Sequence, residues 1–298
     1  MKSLIKGKVS FDVPMARHTS LRVGGSADVL AFPQDEEDVR VIIQFAKERA
    51  IPYYVLGRGT NVIVRDGGLR GIIINLCRGF REVSIIGREN NEVLVSAGAG
   101  GDLKSLVRFT RKENLTGVEA FTGIPGTVGG ALAMNAGAFG SEIGDVVRSV
   151  AMMEDTGAVM VKQRGELRFE YRNLILPEGS LILRCVIGVK EAEGKEIAAK
   201  LKNVQRLRSR SQPWNVPTAG SIFKNPEEAP AGKLIDELGL KGYRIGDARI
   251  SEKHANFILN EGGATAADVL ALMTFVRDEV YEKRGIRLIP EVHIIGER

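Results

Sequence analysis

The sequence has few cysteines, histidines and aromatic residues. Its 298 residues include two cysteines, three histidines and one tryptophan, and aromatic residues make up 6% of the chain. Two isolated cysteines, Cys77 and Cys185, are too few for a disulfide framework and predict buried thiols in a reducing, cytoplasmic environment. Because His18, His254 and His293 do not have the spacing of metal ligands, we expect no metal site.

Long apolar runs are also absent from the sequence. No run approaches the ~20 apolar residues that a membrane-spanning helix requires. The N-terminus carries Lys2, Lys6 and Lys8 but no continuous apolar stretch, which argues against a signal peptide. These absences predict a soluble, cytoplasmic protein that has no membrane partner.

Positive charge is in modest excess. The formal net charge of +5 is compatible with phosphorylated small molecules and with nucleic acid. A predicted helix over residues 195–211 carries Arg206, Arg208 and Arg210, so one alternative is a basic nucleotide- or RNA-binding protein. Aromatic residues do not interleave with these arginines, which disfavours recognition of bases by stacking. We therefore predict no nucleic-acid partner. The helix ends before Pro213, and the last one or two arginines near this break are placed to reach an anionic ligand.

Glycine is the residue present in excess. The 35 glycines are roughly 12% of the chain, against about 7% in average proteins. Six of them fall in residues 123–140, where most other residues are small or apolar. Glycine allows positive φ and removes the Cβ that would hold a ligand away from the backbone. This stretch predicts backbone N–H groups that bind an anion, with residues 128–135 opening as a helix toward it. The alternative is a packed glycine corner.

The periodicity of apolar residues divides the chain into three α+β units, residues 1–79, 80–200 and 201–298. Four elements have clear local signals: a helix capped by Asp35, a hairpin over residues 83–97, a helix over residues 266–283 that begins with a Thr265–Asp268 capping box, and a final strand over residues 287–295. Residues 167–173 are expected to form a connection, and residues 181–189 a fully buried strand.

Four stretches and one carboxylate occur in a specific order along the chain. They are residues 56–61, residues 123–140, Tyr171-Arg172, residues 219–226 and Glu291. Together they resemble the UDP-N-acetylenolpyruvoylglucosamine reductases, also called UDP-N-acetylmuramate dehydrogenases, and the similarity runs from His18 to Val292. The C-terminal unit lacks the extra loop of one branch of the family, so the chain resembles the more compact type.

The resemblance implies an α+β fold: a vanillyl-alcohol-oxidase/PCMH-type FAD-binding fold of two α+β subdomains, plus a C-terminal α+β substrate-binding domain. It also implies that NADPH reduces FAD and that the enolpyruvyl group of UDP-N-acetylglucosamine-enolpyruvate is then reduced, giving UDP-N-acetylmuramate. This reaction belongs to peptidoglycan synthesis, and hence to cell-wall biogenesis, cell shape and cell division. The alternative in the same fold is an FAD-dependent oxidase of an alcohol or aldonolactone, which residues 220–226 disfavour.

The resemblance assigns roles to individual residues. It makes Ser221 the proton donor, with Arg172 and Glu291 polarising the substrate. The expected substrate contacts are Tyr171, Lys224 and Asn225. The expected FAD contacts are Gly57, Gly59, Thr60, Asn61, Gly123, Ile124, Pro125, Gly126, Thr127, Gly129, Gly130, Asn135, Ala136 and Gly137.

Elementary chemistry supports the three catalytic assignments. Reduction of an enol ether conjugated to a carboxylate builds negative charge, so the site needs a cationic donor and a proton source. Arg172 offers a planar, fixed charge, and Ser221 offers a hydroxyl on a sharp turn. Glu291 lies in an apolar segment, where an unpaired carboxylate is costly. The structural alternatives are a surface arginine, a serine that caps local backbone and a paired carboxylate.

Two positions depart from the family pattern. Leu174 stands where the family often has a serine after Tyr171-Arg172, which leaves the local contacts of Arg172 open. Thr60 replaces a frequent serine and keeps the hydroxyl. Because this loop contains neither histidine nor cysteine, we expect FAD to be bound without a covalent link. We also expect a monomer.

Overall fold

The computed structural model describes residues 3–298. They form two compact units, each assembled from three segments of the chain. Unit 1 runs over the residues up to Phe11, Val29–Arg58 and Gly71–Arg208, and unit 2 over Asp12–Asp28, Gly59–Arg70 and Ser209–Arg298. The three-part division at residues 79 and 200 stays a prediction.

Short strands and a few longer helices alternate along the chain. The strands are β1 (Lys8–Pro14), β2 (Ser26–Phe32), β3 (Tyr53–Val55), β4 (Val62–Val64), β5 (Leu69–Ile74), β6 (Val83–Glu89), β7 (Glu92–Gly98), β8 (Leu115–Thr116), β9 (Gly137–Ala138), β10 (Ser141–Glu142), β11 (Val147–Met153), β12 (Val159–Gln163), β13 (Phe169–Glu170), β14 (Asn173–Leu174), β15 (Leu181–Glu191), β16 (Thr218–Ser221), β17 (Arg244–Ile245), β18 (Ala248–Ile250), β19 (Phe257–Asn260) and β20 (His293–Ile295). The helices are α1 (Glu36–Glu48), α2 (Leu103–Lys112), α3 (Val128–Ala133), α4 (Ile143–Val146), α5 (Gly194–Ser211), α6 (Ala231–Glu237) and α7 (Ala266–Arg284). Within residues 3–298, each helix is too short or too polar to cross a bilayer.

The main sheet of unit 1 has the order β12-β11-β15-β7-β6, and β8 also pairs with β15. The central strand β15 is antiparallel to both β11 and β7. Its side chains Leu183, Cys185 and Ile187 are fully buried, which confirms the buried strand predicted from the sequence, although Arg184 is exposed. The predicted hairpin of residues 83–97 is also confirmed, as β6 and β7.

Unit 2 is built on the sheet β16-β19-β18-β17. Helix α7 contacts β17 and β18, and its inward residues Leu272 and Val276 join Ile222 and Ile258 in one apolar core. The two-stranded sheet of β20 and β4 is parallel, with His293 opposite Val62.

Two helix starts follow their predicted caps. The Asp35 carboxylate accepts a hydrogen bond from the Asp38 N–H at 3.0 Å at the start of α1. The Thr265 hydroxyl accepts from the Asp268 N–H at 3.0 Å and the Asp268 carboxylate accepts from the Thr265 N–H at 2.9 Å, so the predicted capping box of α7 is confirmed. Gly285 ends α7 with a φ of +70°, which glycine adopts without strain.

Two sequence predictions, for residues 287–295 and 167–173, differ from the structure. The final strand is only β20, because Pro290 has no N–H for a ladder and instead forms an isolated bridge with Phe223. Residues 167–173 are not a simple connection, because β13 and β14 form a small antiparallel hairpin there. Its turn contains Tyr171 and Arg172, so this hairpin positions two predicted site residues.

Candidate active site

Unit 1 contains a mostly apolar cleft beside α3. Four residues that were predicted to bind FAD line it: Gly57, Thr127, Gly129 and Gly130. The other lining residues are Val55, Leu56, Leu76, Cys77, Ala99, Gly100, Ala133, Leu176, Ser180, Leu181 and Ile182. The structure therefore brings Gly57 together with the glycine-rich stretch, although they are far apart in sequence.

The N-terminal N–H groups of α3 bind the protein's own oxygens. The Val128 N–H donates to Gly101 O at 2.9 Å and the Gly129 N–H donates to Ala99 O at 2.9 Å. The Gly130 N–H donates to the Thr127 hydroxyl at 3.1 Å. The predicted helix over residues 128–135 is confirmed as α3, but the expectation that its first N–H groups face an anion was wrong.

Other backbone donors precede α3. In the part of the chain that the structure describes, the N–H groups of Gly123, Gly126 and Thr127 have no protein acceptor. Gly123 and Gly126 have φ values of +79° and +136°, which favour glycine. The Ile124 N–H donates to Phe121 O at 3.0 Å and closes a turn that contains Gly123. These N–H groups are available to an anionic ligand such as a diphosphate.

The glycines of the cleft have different packing constraints. A Cβ at Gly57 would lie 2.5 Å from the Thr127 hydroxyl oxygen, and one at Gly129 would lie 2.8 Å from the Ala99 Cβ. At Gly130 the nearest atom would be the Thr127 hydroxyl oxygen, at 3.2 Å. Gly57 and Gly129 are therefore required by packing, whereas the Gly130 position is open toward the cleft.

Asn135 supports the hairpin of β13 and β14. Its amide nitrogen donates to the Glu142 carboxylate at 2.5 Å and to Glu170 O at 3.0 Å, and its amide oxygen accepts from the Gly144 N–H at 3.2 Å. The side chain is fully buried. This predicted FAD contact thus uses its amide inside unit 1. The neighbouring Ala136 N–H donates to Ala131 O at 2.7 Å.

Arg172 lies in a strained turn near a second arginine. Its φ is +58°, and its guanidinium donates to Gly137 O at 3.3 Å. Arg208 is only 6% exposed, and burial together with the Arg172 charge lowers the pKa of its guanidinium to about 10. Tyr171 is exposed, and its ring centre lies 5.3 Å from the Arg172 guanidinium carbon. The electrostatic effect of Arg172 on Arg208 shows that these two positive charges lie in the same part of unit 1.

Ser221 ends β16 at an irregular position of the sheet. The pairing of β16 with β19 shifts between Thr218 and Ser221, and Gly220 has a φ of +80°. Such a bulge turns the following side chain out of the regular alternation. Ser221 is half-buried, so its hydroxyl is held by a defined backbone but is reachable.

Glu291 and Lys224 flank the Ser221 segment in unit 2. The Glu291 N–H donates to Ile222 O at 2.7 Å, and the Lys224 N–H donates to Ile289 O at 2.8 Å. The Asn61 amide nitrogen in turn donates to Glu291 O at 3.1 Å. Asn61, which was predicted to bind FAD, therefore holds the backbone of Glu291.

The remaining predicted residues of unit 2 also make local contacts. A Cβ at Gly59 would lie 2.3 Å from His18 O, and its φ is +60°, so this position requires glycine. Thr60 is half-buried. The Asn225 amide oxygen accepts from the Ala231 N–H at 3.0 Å at the start of α6.

Comparison with known proteins gives matches along the whole chain. Residues 212–295 match a family model described as the C-terminal domain of UDP-N-acetylenolpyruvoylglucosamine reductase, and residues 27–161 match an FAD binding domain. The UDP-N-acetylenolpyruvoylglucosamine reductase of Syntrophus aciditrophicus is 46% identical over 297 residues, which cover 100% of this chain and 95% of that protein. The Geobacter metallireducens reductase is 43% identical over 297 residues, which cover 100% and 97%.

A solved structure agrees with these matches. The crystal structure of UDP-N-acetylenolpyruvylglucosamine reductase from Thermus caldophilus is 36% identical, covers 97% of this chain and 99% of that chain, and has a TM-score of 0.83. The chain belongs to the UDP-N-acetylenolpyruvoylglucosamine reductase family. The predicted family, the FAD-binding fold class and FAD as cofactor are thereby confirmed.

The sequence did not allow us to predict the apolar side chains that form one wall of the cleft. Leu56 follows β3 and Ile182 lies in β15, which belong to different sheets, so no local pattern in the sequence places them beside Leu176. Cys77 was assigned to no ligand motif, yet the structure places it in this wall. Burial raises the pKa of the Cys77 thiol, and the nearby Arg58 opposes that shift.

Proposed function

We propose that the protein is a flavoenzyme that uses NADPH to reduce the enolpyruvyl group of UDP-N-acetylglucosamine-enolpyruvate, giving UDP-N-acetylmuramate. Its membership of the reductase family over the full chain is the observation that carries this proposal. The reaction supplies a peptidoglycan precursor, and we place the protein in cell-wall biogenesis, cell shape and cell division. We further propose that it acts in the cytoplasm as a monomer.

We propose that the cleft of unit 1 and the N–H groups of Gly123, Gly126 and Thr127 hold FAD without a covalent bond. The apolar wall suits an aromatic ring, and the unused N–H groups suit the diphosphate. FAD supplies two-electron hydride chemistry when it is bound.

The chain's own residues then bind the substrate and move a proton. We propose that Arg172 binds the substrate carboxylate, where negative charge develops, through its planar fork of donors. Ser221 Oγ gives its proton to the carbon next to that carboxylate, and Glu291 polarises the substrate. Lys224, with Tyr171 and Asn225, contacts the diphosphate and sugar of the substrate.

The activity can be tested by following NADPH oxidation with and without the UDP-linked enolpyruvyl substrate. We expect oxidation that depends on the substrate, and a product heavier by two hydrogen atoms in mass spectrometry. NADPH oxidation that ignores the substrate and yields peroxide would contradict the proposal.

Gly130→Val should weaken FAD binding while preserving the fold. Its branched side chain would project into the cleft, whereas the nearest protein atom to the new Cβ is one hydroxyl oxygen at 3.2 Å. We expect affinity to fall by about tenfold or more, which is about 1.4 kcal/mol. Titration of flavin-free protein by fluorescence measures this. Gly165→Val is the matched control, because nothing lies within 4 Å of its Cβ. Unchanged affinity in Gly130→Val would place FAD elsewhere.

Cys77 should react with a maleimide in flavin-free protein and be protected by FAD. Because burial raises the pKa of its thiol, labelling should accelerate as the pH rises and the thiolate forms. Cys185 serves as an internal control, since it is buried and burial raises its pKa to about 12. Peptide mass spectrometry reports both sites. Equal labelling of Cys77 with and without FAD would exclude this wall from the cofactor site.

A further inference from the structure

We propose that Asn256 is a positioning residue that fixes the backbone next to Ser221 through an amide clamp on Phe223. The proposal rests on the proposed function, in which Ser221 donates the proton. Asn256 is only 3% exposed and touches neither predicted reacting group through its side chain, so its effect is exerted through the backbone.

The clamp consists of three hydrogen bonds within unit 2. The Asn256 amide oxygen accepts from the Phe223 N–H at 3.0 Å, and the amide nitrogen donates to Phe223 O at 2.8 Å. The Asn256 backbone oxygen accepts from the Ile222 N–H at 2.9 Å. An asparagine amide carries one donor side and one acceptor, as a peptide group does, so it replaces a strand neighbour where the regular pairing of β16 ends after Ser221.

The clamped segment also holds the backbone of Glu291. Ile222 O accepts from the Glu291 N–H at 2.7 Å, and the Lys224 N–H donates to Ile289 O at 2.8 Å. Residues 222–224 are thus bonded to Asn256 on one side and to residues 289–291 on the other. Loss of the two side-chain bonds would leave the segment that joins Ser221, Lys224 and Glu291 held only by its backbone bonds at Ile222 and Lys224.

We expect a shift of this segment to change the rate of proton transfer more than it changes the stability of the fold. Displacing a reacting group by about 1 Å can cost on the order of 10² in rate. The pairing of β16 is irregular before Ser221, and Ser221 pairs with Phe257 only after the bulge, so the clamp on Phe223 supports this one regular pairing from the other side. Asn256 therefore determines where the Ser221 hydroxyl lies.

The test compares Asn256→Ala with Asn260→Ala in the flavin-loaded full-length protein. Asn256 directly precedes β19 and Asn260 is its last residue, with a side chain that is 5% exposed. The Asn260 amide nitrogen donates to Leu21 O, and its amide oxygen accepts from the Gly262 and Ala264 N–H groups. Each variant loses one buried amide, so both should melt at lower temperature. Stopped-flow absorbance follows flavin reduction by NADPH and flavin reoxidation by the UDP-linked enolpyruvyl substrate separately.

We expect Asn256→Ala to slow reoxidation by roughly 10²-fold while flavin reduction stays near the wild-type rate. Asn260→Ala should keep both rates near those of the wild type. Equal effects of the two alanine variants on reoxidation would overturn the proposal. Absence of substrate-dependent reoxidation in the wild type would instead overturn the proposed function, and this inference with it.

Asn256→Asp provides a second readout that a purely structural role would not change. A protonated carboxyl has one acceptor and one O–H donor, as the amide does, whereas the carboxylate cannot donate to Phe223 O. Reoxidation by Asn256→Asp, divided by the wild-type rate, should therefore rise as the pH falls. His254, Lys224 and Glu291 also carry titratable groups near this segment, and burial lowers the pKa of His254. Their titration affects the variant and the wild type alike, so dividing the two rates removes it. A flat ratio would contradict the clamp.

Discussion

Replacement of Ser221 by alanine is expected to leave flavin reduction by NADPH near the wild-type rate and to slow reoxidation by the enolpyruvyl substrate by roughly 10² to 10⁴. The slowing corresponds to about 3 to 5 kcal/mol of barrier. The separation follows from the proposed role, because the Ser221 proton is needed only when the substrate carbon is protonated. Stopped-flow traces in the flavin absorbance band measure both rates.

Two further variants isolate the hydroxyl of Ser221. Ser221→Cys should recover part of the lost rate, because a thiol of similar size can donate a proton. Thr218→Val is the matched control: it removes a hydroxyl from the same strand, and among residues 3–298 that hydroxyl oxygen is buried and has no partner. If Ser221→Ala slows both half-reactions together, Ser221 shapes the site instead of donating the proton.

Arg172→Lys should also impair turnover strongly, even though the positive charge is kept. An ammonium cannot reproduce the planar fork that binds a carboxylate through two parallel hydrogen bonds. Loss of one positioned donor typically costs about 10² to 10³ in kcat, and we expect an effect of that order. Steady-state NADPH oxidation at saturating substrate measures it.

The control for Arg172 lies in the same hairpin. Arg168 pairs with Glu170 at 2.6 Å and its side chain is 77% exposed, so Arg168→Lys should leave kcat unchanged. Wild-type turnover by Arg172→Lys would assign Arg172 to the structure of its turn, where it has a φ of +58° and donates to Gly137 O.

Local signals in the sequence predicted local structure well. Asp35 and Thr265 cap α1 and α7 because an N-cap needs only an oxygen next to the first free N–H groups. The predicted hairpin of residues 83–97 formed for the same reason: its two strands are adjacent in the chain. Glycine content likewise identified residues 123–140, since close approach of backbone demands it.

Contacts between segments that are distant in the chain could not be predicted from the sequence. The first N–H groups of α3 donate to Ala99 O and Gly101 O, which lie before α2 in the chain. No residue pattern in α3 indicates these acceptors. Asn135 was expected to touch FAD, but its amide is used by Glu142, Glu170 and Gly144. In each case a polar group predicted to meet a ligand is satisfied by the fold itself. The resemblance to a family gave the function, and the roles of individual site residues remain proposals.

The central claim is that the protein uses NADPH to reduce an enolpyruvyl substrate, with bound FAD supplying the two-electron chemistry. An anaerobic titration tests it most directly: the protein is bleached with one equivalent of NADPH, and the UDP-linked enolpyruvyl substrate is then added. The account predicts full return of the oxidised flavin spectrum at one equivalent of substrate, with formation of the lactyl ether. A flavin that stays reduced until oxygen is admitted, and then yields stoichiometric peroxide, would contradict the account.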